Sequence, residues 1–144
     1  MIMKTQQWQL KYIKWFSAED MHEATIHWLS ELNFIKDEHL FFEHLLEPYI
    51  NLSKKYSPVQ NLLEEISILK EECKCLTSVV LSHQNKLDVL VDGINQIKEE
   101  ELYKETHHEL VDTMNQFLLM HQQLKKDLFK TVKAVMKDQK TISI

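Results

Sequence analysis

The sequence predicts an all-α protein: an antiparallel bundle of three long helices preceded by a short N-terminal aromatic arm. Three observations carry this. Gly and Pro together number three in 144 residues, where average usage gives roughly 17, so sandwiches, barrels and Gly-rich nucleotide loops lack their turn residues. Apolar residues make up 44% of the chain and charged residues 27%, a balance that supplies a core and excludes wholesale disorder. Apolar residues also recur at spacings of three and four through three segments of similar length, the period of a helix face.

Residues 1–16 form the arm. Trp8, Leu10, Tyr12, Ile13, Trp15 and Phe16 alternate loosely with Gln and Lys, and periods of 2 and 3.6 fit this short span equally well. The arm is too apolar to leave in water, so Trp8, Trp15 and Phe16 are expected to be partly buried against the bundle or a partner. Residues 17–144 read as one helical domain. Ser17 is placed as an N-cap with Asp20 at N3, in imitation of a capping box. The first helix is expected over about 18–53, with Met21, Ala24, Trp28, Leu32, Ile35, Phe42, Leu45, Leu46, Tyr49 and Leu52 on its stripe. Pro48 falls inside this pattern and should kink the helix or end it a turn early.

Ser57-Pro58 is a second start signal, an N-cap followed by Pro at N1. The second helix, about 58–98, carries Leu62, Ile66, Leu69, Cys73, Leu76, Val80, Leu87, Leu90, Ile94 and Ile97 in a nearly regular, coiled-coil-like heptad. The third, about 101–138, carries Tyr103, Leu110, Met114, Phe117, Met120, Leu124, Leu128, Val132 and Val135. Two places could separate them: Gly93, or the run Lys98-Glu99-Glu100-Glu101. A turn near 98–102 makes the three segments nearly equal, as suits an antiparallel bundle.

The segment Trp28-Leu29-Ser30-Glu31-Leu32-Asn33-Phe34-Ile35-Lys36-Asp37-Glu38 resembles a stretch of small, uncharacterised bacterial three-helix proteins. The resemblance covers about a dozen positions. It implies the three-helix architecture and no function.

The net charge is -5 and all 17 basic residues are Lys, so neither a general cationic field nor the guanidinium fork favoured for phosphate and guanine is present. No nucleic-acid partner is expected. Both ends are basic and the middle acidic: residues 17–101 hold 17 acids against seven Lys, and residues 125–144 hold six Lys against Asp127 and Asp138. A Lys-rich helix end also complements its own dipole. Cys73 and Cys75 do not face each other on a helix and read as thiols of a reducing compartment. With no apolar run of 18 residues and no signal-peptide core, the expected location is the cytoplasm. A membrane-surface role for the arm is disfavoured, because so short a stretch buries little apolar area.

Eight His invite a metal reading. His39, His83, His107 and His121 coincide with the apolar stripes, and Glu31 and Glu38 lie on or beside the first. Glu19-x-x-His22 and Glu105-x-x-His108 have the spacing of carboxylate-bridged bundles, and His39/Glu43 and His107/Asp112 have spacings seen in hemerythrin-like bundles. In each case one member points off the stripe. With turns near 55 and 100, Glu31, His83 and His121 come to a common level, with His27 at its edge. The expectation is a hydrogen-bonded polar layer that sets helix register, with no metal or cofactor. If any site holds a metal, Glu31, His83, His121 and His27 are its candidate ligands.

No nucleophile elbow, P-loop or dinucleotide fingerprint occurs, so no enzyme is expected. The function read from these features is a non-enzymatic helical interaction or scaffold protein that forms a homodimer. Phe34, Phe41 and Leu29 are expected to be exposed beside the first stripe, adding apolar surface to cover. The alternative is a metal-binding or sensing bundle that uses buried His and Glu.

Overall fold

The computed structural model describes residues 17–51, 57–92 and 97–142. The arm, with Trp8, Trp15 and Phe16, lies outside them. Three helices packed against each other account for nearly all of the described residues, and there is no strand among them. Helix α1 is Ala18–Leu46, α2 is Ser57–Asp92 and α3 is Ile97–Ile142.

Helix α1 starts where its cap predicts. The backbone N–H of Asp20 donates to Ser17 Oγ at 3.1 Å, and Met21 N–H donates to the Ser17 carbonyl at 3.1 Å. Glu19 and Asp20 in the first turn complement the helix dipole. The helix ends at Leu46 and not near residue 53. Pro48 has no N–H to give and its ring would meet the His44 carbonyl, so the chain tightens into a 3₁₀ turn at Glu47–Tyr49.

Helix α2 begins within a residue of the expected start. The expected turn at 98–102 is not observed, because α2 ends at Asp92 and α3 already begins at Ile97. Lys98-Glu99-Glu100-Glu101 contains no breaker, and Glu99 and Glu100 sit favourably in the first turn of α3. With no Gly or Pro after Gly93, α3 continues for 46 residues, past the expected end at 138.

The contacts divide the chain into two compact units, each drawing on all three helices. The first contains α1 up to Glu31 and Leu76–Asn115. Met21, Leu87 and Tyr103 form a buried cluster there, with Leu90 packed against it. The second contains Leu32–Cys75 and α3 from Gln116 onward. Its core includes Leu32 and Leu46 of α1, Val59 and Ile66 of α2, and Phe117 and Leu124 of α3. Burying each such apolar side chain contributes about 1.5–3 kcal/mol. The predicted stripes are the buried faces, with exceptions. Met120 is exposed, Leu29 is half-buried and not exposed, and Thr25, absent from the predicted stripe, is fully buried. Thr25 is accommodated because its Oγ1 donates to the His22 carbonyl at 2.7 Å and accepts from Gln84 Nε2 at 3.3 Å.

Candidate functional site: two buried histidine pairs

In the first unit the helical period puts Tyr103 and His107 on one face of α3, four residues apart, and His83 on the buried face of α2 between Val80 and Leu87. His83 Nε2 and His107 Nδ1 are 3.0 Å apart, so one ring donates its N–H to the other. The Tyr103 ring lies parallel on His83, with centroids 4.0 Å apart. Trp28 of α1 stacks on His107 at 5.0 Å. Burial, reinforced by the Lys86 charge, pushes the His83 imidazole down to about 4. Burial and the neighbouring His83 push His107 down to about 4 as well. Both rings are therefore neutral near pH 7. Burial, with the Asp88 charge, also raises the Tyr103 phenol, keeping it protonated. His83 Nδ1 and Tyr103 Oη are buried without a hydrogen-bond partner among the described residues. Beside the pair, a cleft of about 570 Å³ is bordered by His83, Tyr103, Lys86, Val89, Leu90 and Leu102.

In the second unit α1 presents Glu38, His39 and Phe42 to Phe117, His121 and Lys125, which follow one another at four-residue spacing on α3. His39 Nε2 and His121 Nδ1 are 3.2 Å apart. The other nitrogen of His121, Nε2, is 2.9 Å from Glu38 Oε1, and Lys125 Nζ is 2.9 Å from Glu38 Oε2. The carboxylate only accepts, so His121 Nε2 carries a proton. Burial alone would raise the Glu38 carboxyl, but the hydrogen bonds and charges of Lys125 and His121 outweigh it and hold it below the usual carboxylate value. Burial, then the His121 charge, pushes His39 down to about 4, so that ring is neutral near pH 7. With a neutral His121 that keeps its proton on Nε2, His39 Nε2 donates to His121 Nδ1, and the partnerless buried atom, His39 Nδ1, is an acceptor. The other tautomer would strand a buried N–H, the costlier defect. Phe42 and Phe117 both stack with His121, their centroids 6.0 and 6.5 Å from its own.

The layer expected of Glu31, His83 and His121 is replaced by separate partnerships. Glu31 Oε1 lies 3.3 Å from His27 Nε2 on the outer side of α1. His83 takes His107, and His121 takes His39 and Glu38. Of the carboxylates read from metal-like spacings, Glu43 binds Lys70 Nζ at 2.8 Å and Asp112 lies 3.9 Å from His108. No group of three or more His, Cys, Asp or Glu side chains among the described residues is arranged to hold a metal ion. All four paired histidines were legible as stripe residues. Lys125 carries no stripe signal, although its position four residues after His121 puts it on the same face. The stacking role of Trp28 left no trace in the periodicity beyond a core position.

The two cysteines form no disulfide; Cys73 is buried, its thiol donating to the Leu32 carbonyl at 3.4 Å, and Cys75 is exposed. No helix among the described residues is long and apolar enough to cross a membrane. Comparison with family models, curated proteins and solved structures finds no match to this chain.

Proposed function

We propose that this chain is a non-enzymatic helical interaction protein of the cytoplasm, an antiparallel three-helix bundle that associates with a second copy of itself. The observation that carries the reading is the apolar surface of the second unit. Phe34, Phe41 and Phe129 are 63%, 61% and 71% exposed, and Phe41 and Phe129 border one apolar groove. Monomeric proteins seldom leave large contiguous apolar patches in water. The antiparallel order of α1 and α2 is supported within the second unit, where Leu32 and Glu43 of α1 meet Cys73 and Lys70 of α2 in falling order. Sedimentation equilibrium of the full chain at tens of micromolar should give twice the single-chain mass. A single-chain mass at high micromolar concentration would defeat the proposal.

A sensing role is the second reading. It is favoured by the two imidazole pairs, whose hydrogen-bonded rings sit inside the two cores. Protonation of a buried, hydrogen-bonded ring would break its bond and charge the core, at a cost in stability.

A further inference from the structure

Two apolar grooves flank α3 in the second unit, and their charges are opposite. The groove between α1 and α3 has a volume of about 460 Å³; Phe41, Phe129 and Met136 border it, and its only charged lining residues are Lys125 and Lys133. The groove between α2 and α3, about 300 Å³, is bordered by Ile68 and Met120, with Glu65 and Asp127 as its charged residues. The apolar residues named are all substantially exposed, from Met120 at 46% to Phe129 at 71%. Lys125 is already bonded to Glu38 and Asp127 accepts from Gln123. Lys133 and Glu65 have no ion-pair partner among the described residues.

We propose that these grooves are the two halves of a homodimer interface, the acidic α2–α3 face of one copy seating in the basic α1–α3 groove of the other and reciprocally. This rests on the self-association reading and specifies its surface. Apolar contact supplies the attraction, but covering the basic groove also removes Lys133 from water, which is costly unless an anion meets it. A second copy carries that anion, Glu65, on an apolar face that itself needs cover. A twofold arrangement makes the contact twice, with no free groove left to recruit a third copy. An anionic lipid surface would satisfy Lys133 but would repel Glu65 and leave its groove in water.

The test is sedimentation equilibrium of the full chain as wild type, Lys133→Glu, Glu65→Lys and the double variant. Both positions are exposed, and circular dichroism is the check that each variant remains helical. Each single change sets like charges against each other twice, so the dimer dissociation constant should rise at least about tenfold. The double variant restores opposite charges across the interface with their signs exchanged, and should recover the dimer. A dimer indifferent to both single changes, or a double variant as weak as the singles, overturns the assignment and leaves self-association standing. A monomeric wild type overturns self-association itself. Flotation of the wild type with phosphatidylserine vesicles, lost in Lys133→Glu, overturns the assignment in favour of a lipid surface.

Discussion

The His83 and Tyr103 rings lie face to face, 4° from parallel with centroids 4.0 Å apart, although one comes from α2 and the other from α3. The contact places a phenol in the core of the first unit, where its hydroxyl has no hydrogen-bond partner among the described residues. A buried hydroxyl without a partner costs about 1–3 kcal/mol in desolvation. Tyr103→Phe keeps the ring and removes the polar atom, so it should stabilise the protein by about 1 kcal/mol. Tyr103→Ala removes the ring as well and should destabilise it by about 3–5 kcal/mol, as for a large aromatic deleted from a core. Urea denaturation of both variants checks the pair, and a Phe variant weaker than wild type would show that the hydroxyl is bonded.

Acid should destabilise the fold well before ordinary carboxylates titrate. His39 titrates at about 4 in the folded chain against 6.5 ordinarily. Between those values the unfolded chain binds more protons, so stability is full above about pH 6.5 and falls with pH until about 4. At pH 5 the loss from His39 alone is roughly 2 kcal/mol, and His83 and His107 act in the same direction. Glu38, held low by Lys125 and His121, adds a further loss only below about pH 4.5. The melting temperature should therefore drop steeply from pH 7 to pH 5, and a flat profile there would contradict the burial of these rings.

His83→Leu removes one of the acid-sensitive imidazoles and substitutes an apolar side chain of similar size. The variant should fold at neutral pH, with the loss of the His107 hydrogen bond offset in part by apolar packing, for a net change within about 2 kcal/mol. Its melting temperature should depend less on pH between 7 and 5 than that of the wild type. An unaltered pH slope would mean that His83 does not titrate with folding.

Glu38→Ala takes away the acceptor shared by His121 and Lys125. His121 is buried, so the Nε2 proton loses a charge-assisted bond, worth about 1.5–3 kcal/mol. Lys125→Ala removes the more exposed partner and should cost less, about 0–1 kcal/mol. Thermal melts at neutral pH decide the order, and a larger loss from Lys125→Ala would place the energy in the surface ion pair.

The sequence by itself determined the helices and their faces. Ser17 and Pro58 act on the backbone within one turn, so two helix starts are local events that composition and spacing report; Pro48 allows a kink or an early end, and the structure takes the early end at Leu46. The 3.6-residue period is equally local, which is why His39, His83, His107 and His121 could be placed on buried faces from their neighbours alone. Which histidine meets which was decided only in the tertiary structure. Partner choice depends on axial register, and register depends on where the chain reverses, a property of no single face. A turn centred near residue 100 sets His83 against residues 116–117; the observed partner is His107, and the two stand equally far from residue 95, between the end of α2 and the start of α3. A shift of five residues in the reversal moves the partner by about ten, or roughly 15 Å of helix, enough to exchange one histidine for another three turns away.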